Sequence, residues 1–201
     1  RPLIEDMMAG AEAVLVFEGR RASDNALVTS RKGIMMGQMR VKGKTAHAGE
    51  APQDGANAIV EAARKITALD ALTDFSKGLV VTTGTISGGQ VANQVPDTCT
   101  SSIDVRFRTS SDAQGVQSAI RTIMEAVHVP GCSTEYTLHT VRPPFEKSMA
   151  TERLWEQYRG AAAEFGVTVS QKGAGGGSDG NLTAALGVPT LDGVGPAGDH
   201  A

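Results

Sequence analysis

The chain has 201 residues, a formal net charge of −3 and a hydrophobic content of 40%. That length is enough to bury a core, as one large domain or two small ones. Basic residues form no stripe interleaved with aromatics, and no apolar run approaches the roughly 20 residues that span a bilayer. We therefore expect neither nucleic acid nor a membrane as a partner, and the compartment stays open between cytoplasm and periplasm.

The first 33 residues are typical of an α/β domain. Residues 2–9 predict a helix that ends at Gly10, and the apolar run 13–17 predicts a strand buried on both faces of a parallel sheet. Glu18 follows this strand, and residues 19–33 are expected to be a polar connection. Because ligands collect at the carboxyl ends of strands in open α/β sheets, Glu18 is a candidate binding residue, with a solvated strand end as the alternative.

The segment 34–145 predicts four strands and two helices in the order β-α-β-β-α-β. This is the split βαβ or ferredoxin-like arrangement, an antiparallel sheet with helices on one face and an edge strand that is free to pair with a second copy. The predicted elements cover residues 34–41, 57–72, 79–86, 98–108, 110–127 and 134–141. Cys99 and Cys132 lack metal-ligand spacing, so we expect both to be small packing residues.

The α/β pattern returns from residue 146. The predicted elements are a helix over 151–165, a short strand over 167–169, a flexible loop over 173–177, a small helix to 186 and a strand over 188–191. The fold class is therefore α/β. Part of an α/β domain, residues 1–33 and 146–201, is interrupted by an inserted lid, residues 34–145.

His47 lies in a tight turn of small residues between a strand and a Pro/Gly loop. An imidazole held between two rigid elements is a common arrangement for chemistry, although a single histidine is more often structural or exposed. The whole string from Val41 to Ala62 resembles the loop that begins the lid of the M20 metallopeptidases. That family includes the carboxypeptidase G2-like glutamate carboxypeptidases, acetylornithine deacetylases and succinyl-diaminopimelate desuccinylases, and the resemblance covers essentially the whole chain.

The resemblance implies an oxyanion-stabilising role for two lid residues. His47 would reach into the active site of the partner subunit of a homodimer that forms through the lid. Asn93, in the string Gly88-Gly-Gln-Val-Ala-Asn-Gln-Val-Pro, would be a second contact to the substrate, and an ordinary asparagine turn is the alternative. His128 and His139 match no family position and are expected to be structural.

The resemblance also implies two zinc ions per subunit in an intact parent enzyme. Glu18 matches the strand on which the family carries a zinc-binding glutamate, and a carboxylate suits a mixed His/Asp/Glu zinc site. The spacing places the terminal zinc histidine at residue 202, one past the end, and leaves His200 as the alternative ligand. The family's His-x-Asp pair, bridging aspartate and Glu-Glu pair have no counterpart here. The chain is thus expected to be an inactive fragment.

Three further sites are candidates for substrate binding. Arg142 precedes two prolines and could fork onto a carboxylate, whereas Arg106, in the string Asp104-Val-Arg106, either binds substrate or forms a cross-strand salt bridge. The loop of Gly175, Gly176, Gly177 and Ser178 lacks the spacing of a dinucleotide or P-loop motif. It resembles the family's Gly-Gly-Gly-Ser/Thr-Asp loop, whose amides and following helix N-terminus suit a carboxylate.

These patterns favour a zinc-dependent exopeptidase whose metal-activated water hydrolyses the amide bond to a C-terminal, glutamate-type amino acid. Two alternatives remain open. One is a deacylase of the same family acting on N-acyl amino acids. The other is a non-catalytic dimerisation or binding module, which would account for residues 34–145 and leave Glu18 and the glycine loop without a purpose.

Overall fold

The computed structural model describes residues 2–21 and 25–198. It divides into two compact units. Unit 1 takes the residues up to 34, then 108–110, and those from 142 onward, and unit 2 takes 35–107 and 111–141. No helix in the described part of the chain is long and apolar enough to cross a membrane.

Strands predominate among the elements of the described residues. In chain order these are α1 (Pro2–Met8), β1 (Val14–Val16), β2 (Arg20–Arg21), β3 (Ala26–Arg31), β4 (Gly33–Lys42), β5 (Ala46–His47), a 3₁₀ turn (Pro52–Asp54), α2 (Ala58–Asp70), β6 (Val80–Gly88), β7 (Gln94–Val95), β8 (Thr98–Phe107), α3 (Ser110–Glu125), β9 (Ser133–Arg142), α4 (Met149–Glu164), β10 (Ser170–Ala174), α5 (Gly180–Ala185), β11 (Thr190–Asp192) and β12 (Ala197–Gly198).

Unit 1 is built on a four-stranded sheet in the order β1-β11-β3-β10. β1 runs parallel to β11 and β10 runs parallel to β3, while β11 meets β3 through one antiparallel pair, Asp192 with Val28. A small apolar cluster of Leu27, Trp155, Val169 and Leu191 packs on it. Because β11 and β3 are antiparallel, each parallel pair has its own carboxyl end: β1 and β11 end near Glu18, and β10 leads into the glycine loop.

The prediction of a polar connection over residues 19–33 is wrong, because β3 lies inside it and is a central strand. Its first four residues, Ala26-Leu-Val-Thr, are all buried. The run is too short to establish a period, and Ser30 and Arg31 after it give the segment a polar character. Burial between two neighbouring strands overrides that local signal.

The expectation that β1 is buried on both faces is also wrong for the described residues. β1 is the first strand of the sheet order, and Leu15 is 45% exposed and Phe17 73% exposed. An edge strand with one uncovered face leaves alternate apolar side chains in contact with solvent. The predicted strand over 167–169 begins instead at Ser170 and continues through Gly173 and Ala174, which were expected to be loop.

Unit 2 has the predicted β-α-β-β-α-β order in β4, α2, β6, β8, α3 and β9, with the sheet order β6-β8-β4-β9. This is the ferredoxin-like arrangement, so the predicted fold class is confirmed. β6 pairs with β8 in antiparallel register from Val80 opposite Arg106 to Gly88 opposite Cys99. Buried and exposed residues alternate along β4, as expected of a sheet with one face on the core.

The core of unit 2 lies between this sheet and its helices. Buried residues include Met39, Val41, Leu69, Val105, Phe107, Ile120, Cys99 and Cys132. Asn57 begins α2 by accepting a hydrogen bond from the Val60 amide at 3.0 Å. This N-cap satisfies one of the amides that a helix start leaves without an intrahelical partner.

A buried ammonium joins α2 to the end of α3. Lys65 is fully buried, and its Nζ donates to the carbonyls of Ile123 at 2.8 Å, Met124 at 3.0 Å and Ala126. Its Nζ also lies 3.2 Å from Glu61 Oε1, one helical turn earlier. Helix ends leave carbonyls without partners, and this cation satisfies several of them at once.

The Glu61 carboxylate is held from the other side by the chain that follows α3. Its Oε2 accepts hydrogen bonds from the amides of His128 at 2.9 Å and Val129 at 2.7 Å. Burial raises the pKa of Glu61, but these amides and Lys65 outweigh it and hold the pKa below its ordinary value. The carboxylate therefore stabilises the folded state above the pKa of an unfolded glutamate, and this contribution is lost as the pH falls through the folded pKa.

Lys65→Met is expected to destabilise unit 2 strongly, because it leaves Glu61 as an unpaired buried charge and uncaps α3. The free energy of unfolding should fall by about 3–5 kcal/mol. Arg64→Met is the matched control, since Arg64 is exposed and donates to the His128 carbonyl at 2.9 Å; there we expect a loss below about 1 kcal/mol. Urea unfolding measures both, and equal losses in the two variants would contradict the assigned role of Lys65.

Candidate functional site

The two lid residues singled out from the sequence are neighbours in unit 2. The short strands β5 and β7 form an antiparallel ribbon that places Ala46 opposite Val95 and His47 opposite Gln94. The Ala48 amide continues the ribbon by donating to the Asn93 carbonyl at 3.0 Å. His47 and Asn93, far apart in the sequence, therefore lie at the same end of one ribbon.

The ring of His47 is folded back over its own turn. Its Nδ1 accepts hydrogen bonds from the backbone amides of Gly49 at 3.2 Å and Glu50 at 3.1 Å. A Cβ added at Gly49 would lie 3.6 Å from the ring Cε1, which shows how closely the turn approaches the imidazole. The side chain itself is exposed, so its position is set by the turn and not by core packing.

In unit 1 the glycine loop packs against Arg142. A Cβ added at Gly177 would lie 2.8 Å from Ile34 Cδ1 and 3.4 Å from Arg142 Cγ, so a larger residue here would have to displace the Ile34 side chain. The Arg142 guanidinium lies 3.6 Å from Asp179 Oδ1, and the Asp179 side chain is 72% exposed. The structure thus brings together the arginine and the loop that the sequence suggested for carboxylate binding.

The buried carboxylate of Asp192 holds this loop in place. Asp192 is fully buried at the end of β11 and accepts from Arg31 Nε at 2.7 Å, Arg31 Nη2 at 3.1 Å and the Ser178 hydroxyl. Arg31 also donates from Nη1 to the Gly176 carbonyl at 3.0 Å. One ion pair therefore fixes the loop at two points, Gly176 and Ser178.

Asn181 fixes the same loop from a second side. Its Oδ1 accepts from the Ser178 amide at 2.9 Å, and its Nδ2 donates to the carbonyls of Lys32 at 3.2 Å and Pro143 at 2.7 Å. Ser178 is buried, and its amide and hydroxyl are both used within the chain. Among the described residues, by contrast, the amides of Gly176 and Gly177 have no hydrogen-bond acceptor.

A cavity of about 640 Å³ opens at the ends of β3 and β10 and is bordered by Gly175. Its lining includes the cationic side chains of Arg31, Lys32, Arg108 and Lys147 and one carboxylate, Glu146. Glu146 accepts from the Ser110 amide at 2.9 Å and from the Ser110 hydroxyl at 2.8 Å. Arg31 is paired with Asp192 and Lys147 with Glu152, so the positive charge that suits an anionic ligand here comes from Lys32 and Arg108.

Arg106 is paired within its own strand. Its guanidinium forks onto the Asp104 carboxylate, Nε to Oδ1 at 2.6 Å and Nη2 to Oδ2 at 2.8 Å, with both side chains about one-third exposed. The alternative to substrate binding was a cross-strand salt bridge, whereas the observed ion pair forms along a single strand.

Glu18 is exposed at the end of β1, where its carbonyl accepts from the Gly195 amide at 3.1 Å. His200, the alternative zinc ligand, lies outside the described residues. No group of three or more His, Cys, Asp or Glu side chains close enough to hold a metal occurs among residues 2–21 and 25–198. Since catalytic zinc takes three protein ligands, Glu18 and its described surroundings do not form a zinc site.

The residues that hold the loop in place were not predicted from the sequence. Asn181 lies three residues after Ser178 and Asp192 ends a short strand, so both carry a weak local signal as loop-stabilising side chains. Arg31 carried none, because its segment was interpreted as a connection. Their partners are remote in sequence, up to 161 residues away for Arg31 and Asp192, which a local pattern does not reveal.

Comparison with known proteins assigns the family. The family described as "Peptidase dimerisation domain" matches residues 29–132, just over half of the chain. The chain belongs to this M20 peptidase family, and the resemblance stated from the sequence is confirmed.

Relatives and solved structures agree with this assignment. Carboxypeptidase G2 from Pseudomonas sp. (strain RS-16) is 28% identical over 98% of this chain and 48% of its own length. A p-aminobenzoyl-glutamate hydrolase homolog of Haemophilus influenzae is 28% identical over 45% of this chain and 22% of its own. The structure of aminopeptidase PepT from Bacillus cereus ATCC 10987 superposes with a TM-score of 0.77 at 25% identity, covering 90% of this chain and 48% of PepT.

Two facts follow from these matches. The family is one of peptidases and related amide hydrolases, as the sequence predicted. The chain spans about half the length of the curated relatives that it matches over most of its own length.

Proposed function

We propose that this chain is the substrate-binding portion of a hydrolase that cleaves the amide bond to a C-terminal amino acid. The observation that carries the proposal is the contact between Arg142 and the glycine loop, where the amides of Gly176 and Gly177 have no acceptor in the described part of the chain. A guanidinium and two backbone amides are the groups that bind a carboxylate by charge-assisted hydrogen bonds.

Glutamate-type substrates fit this site best. Besides the carboxylate bound at Arg142, a glutamate carries a second one, and the neighbouring cavity has more cations than anions in its lining. The names of two relatives, carboxypeptidase G2 and the p-aminobenzoyl-glutamate hydrolase homolog, support an exopeptidase acting on such residues. Arg106 is proposed only as a secondary contact, because its guanidinium already pairs with Asp104.

In this account His47 and Asn93 act on the reacting carbonyl. As hydrogen-bond donors they would stabilise the negative oxygen that develops when water attacks, an effect worth roughly 3–4 kcal/mol for one well-placed donor. Their position on one ribbon allows both to approach a single oxygen. We propose that they serve the active site of the partner subunit.

The water itself would be activated by zinc, two ions per subunit, in a longer protein that contains this chain. Glu18 would supply one carboxylate ligand. The described residues do not form a zinc site. We therefore propose that they supply binding and orientation, and we expect this chain to be inactive by itself.

An N-acyl amino acid deacylase of the same family is the second candidate, since its substrate also ends in a carboxylate. The two differ in the group on the other side of the scissile bond. A non-catalytic dimerisation or binding module is the third candidate, and the unused amides of the glycine loop argue against it.

The direct test is zinc content together with hydrolysis, measured on this chain and on the longer protein. Only the longer protein is expected to bind about two zinc ions in each protomer and to cleave C-terminal glutamyl amides. Faster cleavage of N-acetyl or N-succinyl amino acids would establish the deacylase instead. A longer protein that binds no metal would contradict both enzymes and favour the binding module.

Arg142→Met in the longer protein is expected to raise KM for substrates with a free carboxylate by roughly 10- to 100-fold, the worth of hydrogen bonds to a charged group. Arg159→Met is the matched control, because Arg159 pairs with Glu156 on the surface of α4. Michaelis–Menten kinetics on a substrate and on its carboxamide measure the effect. An equal loss on the carboxamide would contradict carboxylate binding by Arg142.

We propose homodimerisation through the edge strand β6 of unit 2. Its Ile86 is 56% exposed, and Val60 on the adjacent α2 is 40% exposed. An edge strand presents unpaired backbone groups that a second copy can satisfy. Light scattering should give a dimer for this chain and a monomer for Ile86→Lys, with Val127→Lys, just after α3, as the exposed control. A strict monomer at high concentration would contradict the proposal.

A further inference from the structure

We infer that the turn after His47 fixes the tautomer of its neutral ring, with Nδ1 unprotonated and the proton on Nε2. The inference rests on the proposed function only where it concerns the role of His47 in catalysis. The protonation pattern itself is a property of this chain and is measured without any activity.

Hydrogen bonding determines the position of the proton. Nδ1 faces two backbone amides, Gly49 at 3.2 Å and Glu50 at 3.1 Å. An amide N–H only donates, so both contacts require Nδ1 to accept with its lone pair. A neutral imidazole with a bare Nδ1 carries its proton on Nε2, because the second nitrogen is then the donor.

The amides stay in place because the turn is short and anchored. The Ala48 amide donates to the Asn93 carbonyl at 3.0 Å, and the Ala51 amide donates to the His47 carbonyl at 3.1 Å. These two hydrogen bonds fix the backbone immediately before Gly49 and immediately after Glu50. The arrangement is the histidine analogue of an Asx turn, in which a side-chain acceptor binds the amides two and three residues later.

Such a ring is a fixed hydrogen-bond donor. With Nδ1 occupied by two amides and Nε2 protonated, the neutral side chain offers a single N–H. That N–H suits an anionic oxygen. The amides of Gly49 and Glu50 are therefore positioning groups that act through His47.

Nitrogen NMR of the ¹⁵N-labelled chain tests the inference at about pH 9, where histidine side chains are neutral. We expect His47 to show one protonated and one bare nitrogen, with the proton fully on Nε2. His139, exposed on β9, is the internal control and should show shifts averaged between the two forms. A proton on Nδ1 of His47, or averaging equal to that of His139, would overturn the inference.

Two substitutions at His47 distinguish the role of Nδ1 as the acceptor in the turn from the role of Nε2 as a donor. His47→Asn places an oxygen where Nδ1 lies, so the amides of Gly49 and Glu50 should keep their protection from hydrogen exchange. His47→Gln extends an N–H toward the position of Nε2 and should lose that protection by about tenfold. Equal exchange in both variants would contradict the role of Nδ1.

The same two variants, made in the longer protein, test the catalytic meaning. There we expect His47→Gln to retain about tenfold more activity than His47→Asn, although Asn preserves the turn. The reverse order would show that the turn, and not the Nε2 donor, is what catalysis needs. An inactive longer protein would reject the proposed function and leave the NMR result on this chain standing.

Discussion

The buried carboxylate of Asp192 is the constraint on which the candidate site of unit 1 depends. It is fully buried, and its charge is tolerable because the side chains of Arg31 and Ser178 and the backbone amide of Gly193 donate hydrogen bonds to it. Two of these partners also hold the glycine loop, Arg31 through the Gly176 carbonyl and Ser178 as part of the loop itself. Removing the carboxylate would leave the nearly buried guanidinium of Arg31 without its charge partner. It would also weaken the two contacts through which Arg31 and Ser178 hold the loop. Stability and the geometry of the loop are therefore coupled through one ion pair.

In unit 2 the buried charges of Lys65 and Glu61 are satisfied mainly by backbone groups. Lys65 satisfies the last carbonyls of α3, and Glu61 binds the amides that follow, so the helix end is closed by the protein itself. At the ribbon of β5 and β7, backbone amides orient the His47 ring. In each case a side chain and the main chain satisfy one another. This arrangement fixes geometry more firmly than exposed ion pairs do, such as Lys77 with Asp74.

Much of unit 2 could be predicted from the sequence, because long amphipathic segments such as β4 and α3 carry a clear period. Short elements carried no such signal. β3 was missed, and the edge position of β1 was not visible in its apolar run. The loop residues of the candidate site were identified by their resemblance to a family motif. The network that holds them was not, because it depends on contacts such as Asn181 with the Lys32 carbonyl, 149 residues apart.

The central claim is that this chain contains a preformed carboxylate-binding loop. The most direct measurement is a titration of the ¹⁵N-labelled chain with N-acetylglutamate, followed by amide NMR. The account predicts saturable shifts at Gly176 and Gly177 that disappear in Arg142→Met. Shifts that leave these two amides unchanged, or that persist in the variant, would contradict it.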